Sequence, residues 1–137
     1  MADAETKLCT EAEGIPEGWL GLDCGPKSIK VAVEAIVRAK TIVWNCPPGV
    51  FEFGGAFATA TSAFVDAIAP SAQQGECVSV VGGGDTATAV AEMRAEGKFT
   101  HVSTGASLEL VEGRMLPGIA ALTDVSEMGD FVPQWSS

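Results

Sequence analysis

Apolar positions along this chain fall into two alternating patterns. Short runs with apolar residues occur at Trp19-Leu20-Gly21-Leu22, Thr41-Ile42-Val43-Trp44-Asn45-Cys46, Cys77-Val78-Ser79-Val80-Val81 and Phe99-Thr100-His101-Val102-Ser103, and each reads as a β-strand. Between them the apolar residues return every three or four positions. Ile29, Val33, Ile36 and Val37 predict a helix over about 29–39, capped by Ser28. Phe57, Ala60, Phe64 and Ile68 predict an inward face on a helix over 56–69, closed by Pro70. Residues 85–96 form a third predicted helix ended by Gly97, and 106–111 a short last one stopped by Gly113 and Pro117. The run Thr41–Cys46 lacks polar alternation, as expected for a strand covered on both faces. Strands alternating with helices of this length imply parallel βαβ units with right-handed crossovers.

The expected fold class is therefore α/β: a parallel, Rossmann-like sheet of about four strands over residues 19–125. Residues 1–18 form an acidic lead-in ending in the loop Gly14-Ile15-Pro16-Glu17-Gly18, and 126–137 an acidic, aromatic tail with no assignment. A length of 137 residues, 47% of them hydrophobic, suits one ordinary core. Eighteen acidic against eight basic residues give a net charge of −10, which argues against nucleic-acid or anionic-membrane partners. No run reaches the roughly 20 apolar residues of a membrane helix, and Met1–Lys7 lacks the basic start and apolar stretch of a signal peptide, so a cytoplasmic location is expected. Four irregularly spaced cysteines and a single histidine give little support for zinc or a redox dithiol. Cys24, Cys46 and Cys77 lie in or beside apolar runs and are expected to serve as small hydrophobes.

In a parallel sheet, ligands bind beyond the carboxyl ends of the strands. That rule selects Cys24-Gly25-Pro26, Asn45–Glu52, Gly82–Thr86 and Ser103–Ala106. The most informative is Gly82-Gly83-Gly84-Asp85-Thr86, where a strand runs into three glycines and a helix start. Glycines allow close backbone approach to an anion, the helix start offers unpaired N–H groups, and a carboxylate there can hold a metal against phosphate oxygens. A tight strand-to-helix turn with Asp85 as N-cap explains the same residues. Gly82-x-Gly84-x-x-Ala87 fits the loose dinucleotide fingerprint, but the acid expected about 20 positions on is replaced by Ser103-Thr104-Gly105. The lysine of a P-loop is absent as well. What remains is a phosphate turn with its own carboxylate, Asp85, suited to Mg2+.

Four motifs in register, Trp19–Pro26, Val43–Glu52, Val81–Thr88 and His101–Gly113, followed by Leu116-Pro117-Gly118, resemble the C-terminal, nucleotide-binding part of phosphoglycerate kinase. The resemblance covers about residues 14–125. It implies reversible phosphoryl transfer between ATP and 3-phosphoglycerate in glycolysis. It further implies that Gly21 lies against adenosine, that Phe51 and Glu52 belong to the ribose and base pocket, and that Asn45, Pro47 and Gly49 shape its wall. Gly82 and Thr86 would meet phosphate oxygens and Asp85 the magnesium of Mg-ATP or Mg-ADP. Backbone N–H groups of Gly83, Gly84 and Gly105 would face the transferring phosphoryl group. His101 is expected to be structural or interdomain.

The chain departs from the family pattern in three ways. Ser103-Thr104-Gly105-Ala106-Ser107 has two glycines fewer than the family's Ser-Thr-Gly-Gly-Gly-Ala-Ser, Cys46 stands where glycine is usual, and Pro48 stiffens the same turn. The family's N-terminal domain, which binds 3-phosphoglycerate, and the lysine-bearing first half of its nucleotide domain have no counterpart. None of the eight Lys or Arg residues lies in the predicted phosphate loops. Phosphoryl transfer depends on positive charge around the moving group, so the chain alone is expected to be incompetent. The alternatives are a non-catalytic nucleotide-binding or interaction module and, behind it, a nicotinamide oxidoreductase.

Overall fold

The computed structural model describes residues 4–104, 112–115 and 117–121. The chain divides into two compact units, Met1–Gly105 and Ala106–Ser137. In the first, helix α1 (Pro26–Arg38) precedes strand β1 (Thr41–Asn45), helix α2 (Thr59–Gln73), strand β2 (Val78–Gly82), helix α3 (Gly84–Glu92) and strand β3 (His101–Ser103). In the second, a short helix α4 spans Pro117–Ala120, and Arg114 pairs with Glu112 at 2.9 Å. The predicted helix over 106–111 lies outside the described residues.

The three strands are parallel and lie in the order β1-β2-β3, with Val43 opposite Val80, Trp44 opposite Val81 and Val81 opposite Val102. The α/β expectation is met, with three strands among the described residues where about four were expected. Trp19–Pro26 does not pair as a strand. Its link toward the sheet side is one hydrogen bond, from Val50 N–H to the Leu22 carbonyl at 2.9 Å, and Leu20 is 78% exposed. An apolar run becomes a strand only beside a partner edge, and here the segment is held by other means.

Trp44 and Val81 point to one face of the sheet, where they pack with Val65 and Ile68 of α2, Val90 of α3, Ala95 and Phe99. The Trp44 ring meets Phe64 edge-on at 6.0 Å and Phe99 at 6.2 Å, geometries that favour aromatic pairs beyond simple burial. The inward set Phe57, Ala60, Phe64 and Ile68 is enclosed as its spacing predicted, Phe64 partly so. The other face is open: Val43 is 60% and Val78 50% exposed. The expectation that β1 is covered on both faces is thus corrected, since α2 and α3 both pack with the Trp44 side.

Local chemistry resets several boundaries. Helix α1 starts at Pro26, not after a Ser28 cap, because proline at the first helical position has its φ fixed for the helix and needs no N–H partner. Its face toward α2 is only partly buried, and Val37 is exposed. Pro70 sits inside α2 rather than ending it; the helix runs to Gln73 and stops at Gly75, whose φ of 72° is the usual left-handed exit. Helix α3 ends at Glu92, short of the predicted Glu96. Arg94 takes φ 53°, and the amide of the next residue, Ala95, bonds back to the Val90 carbonyl at 2.9 Å. Thr10 and Glu13 form a reciprocal capping box, which holds the Glu13 carboxyl below the ordinary range through the Thr10 hydroxyl and amide.

Thr61 on α2 is fully buried, and its hydroxyl finds no partner among the described residues. An unsatisfied buried hydroxyl carries a desolvation cost that a methyl of the same shape does not. Thr61→Val should therefore raise stability by about 1 kcal/mol, read as a higher urea midpoint at unchanged slope.

Candidate functional site

At the carboxyl end of β1 and β2 the chain makes two turns that interlock. Strand β2 ends at Gly82, and Gly83 turns the chain with φ 89°, a value that favours glycine. Helix α3 begins at Gly84, with Asp85 exposed in its first turn. Beside it, Asn45 closes β1. A Cβ on Gly83 would stand 3.2 Å from Asn45 Oδ1, so the asparagine amide lies directly against the glycine turn. A Cβ on Gly84 would meet nothing within 4 Å, which leaves the front of the turn open. An open turn at a helix start, where the first backbone amides lack intrahelical partners and one carboxylate stands beside them, can take an oxyanion and a hard cation together.

Thr86 is fully buried, and its Oγ1 accepts a hydrogen bond from Cys46 N–H at 2.8 Å. That bond ties the loop after β1 to the first turn of α3. The Trp44 indole Nε1 donates to the Cys46 carbonyl at 3.0 Å, and the Cys46 thiol lies 3.2 Å from Asn45 Oδ1. Cys46 adopts φ 69° and is exposed. The expectation of a small buried hydrophobe fails for Cys46 and for Cys24, also exposed, and holds for Cys77. A left-handed backbone costs an L-residue roughly 1–2 kcal/mol, whereas glycine adopts it freely. Cys46→Gly is expected to stabilise the chain by up to about 1 kcal/mol, after allowing for glycine's greater freedom when unfolded, and thermal melts of both proteins would check it.

The loop from Pro47 to Phe53 forms a second wall. Gly49 is buried, and a Cβ there would collide with the Asp23 carboxylate and the Phe57 carbonyl. Phe51 is buried in a single 3-10 turn, Phe51–Phe53, and so anchors it while Glu52 stays exposed. Pro47 and Pro48 are half-buried between the two turns. Gly21 sits apart from the glycine turn. It packs on Ile15 and lines a cavity of about 690 Å³ together with Trp19, Leu22, Ile29 and Phe57.

The structure thus joins Asn45 to Gly82–Gly83 and Cys46 to Thr86, and holds Gly49, Phe51 and Glu52 on the adjoining loop. Ser103 ends β3 opposite Gly82. Gly105 lies outside the described residues. Among the described residues no cluster of three or more His, Cys, Asp or Glu forms. A cation here would be held by the single Asp85 carboxylate plus phosphate oxygens and water, a set that fits Mg2+.

Sequence reasoning missed Asp23, although an acid inside an otherwise apolar run was a visible signal. Its Oδ2 accepts from Ala60 N–H at 3.1 Å and its Oδ1 from Cys24 N–H at 2.7 Å. Ala60 is the second residue of α2, whose N-cap, Ala58, has no side-chain acceptor. A distant carboxylate thus supplies the cap, an interaction usually worth about 1 kcal/mol.

These features define a class: a parallel α/β unit with an open glycine turn and helix start at its strand ends. Comparison with known proteins gives the family. Phosphoglycerate kinase matches over residues 1–114. The chain is 54% identical over 124 residues to phosphoglycerate kinase of Candida albicans, covering 89% of this chain and 29% of that protein. It is 53% identical over 125 residues to phosphoglycerate kinase 1 of Homo sapiens, covering 90% and 30%. The solved structure of phosphoglycerate kinase from Coxiella burnetii superposes with a TM-score of 0.62 at 40% identity, over 72% of this chain and 25% of that one. The chain belongs to the phosphoglycerate kinase family, and it spans about 30% of the length of the curated relatives it matches.

Proposed function

We propose that residues 19–125 carry part of the Mg-nucleotide site of a phosphoglycerate kinase, the part contributed by its C-terminal region, with 126–137 left unassigned. The observation that carries this reading is the interlocked pair of strand-end turns, with Asn45 against Gly83 and Cys46 bonded to Thr86, which leaves Asp85 and the face of Gly84 open. Asp85 would hold the magnesium of Mg-ADP or Mg-ATP, and the amides of Gly83 and Gly84 would face the phosphates. The Thr86 hydroxyl is fully buried and fixes the turn by accepting the Cys46 amide. Glu52, on the turn anchored by Phe51, would accept from ribose hydroxyls, with Pro47 and Gly49 shaping the wall and Gly21 against the adenosine. Gly105 would complete the transfer site from the loop after β3. In the reaction the family carries out, the chain's own contribution is to orient the nucleotide's phosphates and neutralise part of their charge.

The opposite, basic wall is not built by these residues, since no Lys or Arg lies on residues 45–53 or 82–88. The open Val43 and Val78 face likewise suits a sheet on which further elements of a larger domain pack. The chain alone should therefore bind Mg-ADP with a Kd on the order of 1 mM and give no turnover with 3-phosphoglycerate in a coupled assay. Robust turnover would overturn the reading of an incomplete site. The second reading, a nucleotide-binding module without catalysis, is favoured by binding without turnover when the remaining domains are supplied. An unresponsive NADH titration would remove the oxidoreductase alternative.

A further inference from the structure

Two walls of the proposed nucleotide pocket, Gly21–Cys24 and Gly49–Glu52, and the start of α2 come from stretches far apart in sequence. They meet at one side chain. The half-buried Asp23 carboxylate accepts Ala60 N–H through Oδ2 at 3.1 Å and Cys24 N–H through Oδ1 at 2.7 Å, and it fills the space that the absent side chain of Gly49 leaves. One residue earlier, the Leu22 carbonyl accepts Val50 N–H at 2.9 Å, so the two walls are joined at adjacent points. Gly21 lines the 690 Å³ cavity next to this junction. The anchor explains why a run with strand-like composition holds its place without a ladder. It also explains why α2 begins after Ala58 without a cap of its own.

We infer that Asp23 is a positioning residue for nucleotide binding: its carboxylate clasps the Gly21 segment to the N-terminus of α2 and to Gly49, and so sets the width of the adenosine side of the pocket. It touches neither phosphate nor metal in this assignment. The inference rests on the reading of the pocket as a nucleotide site, and it makes a distinction that reading alone does not. Loss of Asp23 weakens the nucleoside part of the ligand, whereas loss of Asp85 weakens only the magnesium-phosphate part.

The test uses the full chain and its Asp23→Ala, Asp23→Asn and Asp85→Asn variants. Hydrogen exchange is followed at the Ala60 amide, with the Ala87 amide, bonded to the Gly83 carbonyl at 3.1 Å, as a control for the intact fold. Adenosine and Mg-ADP affinities are measured in parallel by NMR titration. The expected result is faster exchange at Ala60 but not at Ala87 in the Asp23 variants, with both affinities lowered by a common factor of about ten. Asp85→Asn should lower the affinity for Mg-ADP alone. Unchanged exchange at Ala60 overturns the clasp. Faster exchange at Ala60 with unchanged affinities overturns the positioning role. If Asp23→Asn, which keeps the side-chain volume, also loses protection at Ala87, Asp23 is a residue of the fold as a whole and the inference fails. If the unmodified chain binds neither ligand, the nucleotide reading itself fails and the positioning role with it, while exchange at Ala60 still reports whether the clasp exists.

Discussion

Trp44→Ala should destabilise the chain by about 3–5 kcal/mol, enough to remove much of the roughly 5–15 kcal/mol that holds a domain folded. The indole is the centre of the single described core: it touches Phe64 and Phe99, and it shares its face with Val81, Val65 and Val90. Alanine would leave a void between sheet and helices that neighbours on two helices and a strand cannot close together. It would also free the Cys46 carbonyl, to which the indole N–H donates, and so loosen the loop on which Asn45 and Cys46 sit. Loss of the cooperative urea transition is the expected readout; a midpoint close to that of the unmodified chain would show that the core is organised around something else.

Gly49→Ala is the second substitution with a large expected effect, although it adds one carbon. The new methyl would collide with the Asp23 carboxylate and with the backbone carbonyl of Phe57, and the latter cannot swing away as a side chain can. Forcing extra volume into such a site costs about 1–3 kcal/mol. The displaced groups are the junction between the pocket walls, so Mg-ADP affinity should fall further than stability alone accounts for. Chemical denaturation and nucleotide titration on the same samples separate the two effects. Alanine tolerated in both would contradict the close approach of these three segments.

Much of this arrangement is written in the sequence. Trp44, Val81 and the Phe64 and Ile68 stripe were legible because strand and helix periods differ, and the glycine turn announced itself by composition. Most of the misread elements are decided by a partner remote in sequence, and the end of α3 by a local turn. Trp19–Pro26 has the apolar content of a strand, but content does not reveal whether an edge is free to receive it. Val43 looks like a buried strand residue, yet which face is covered depends on where α2 and α3 come to rest. Arg94 in a left-handed conformation ends α3 before Gly97 because Ala95 reaches back to Val90, a solution that propensity ranks below glycine. Asp23 was passed over because its meaning lies 37 positions away at Ala60.

Cys46 is the one place where sequence and geometry speak to each other directly. The resemblance identifies it as a departure from a usual glycine, and the structure gives that position φ 69°, the conformation glycine adopts without strain.

The central claim is that Asp85 and the open glycine turn form the magnesium-phosphate side of a nucleotide site. The most direct measurement is an NMR titration of the Gly83, Gly84 and Asp85 amides with ADP, with magnesium present and with magnesium chelated, for the chain and for Asp85→Asn. The account predicts shifts at these amides, tighter binding with magnesium, and loss of about tenfold in affinity in the variant only when magnesium is present. Equal affinities with and without magnesium in the unmodified chain, or shifts confined to residues away from this turn, would contradict it.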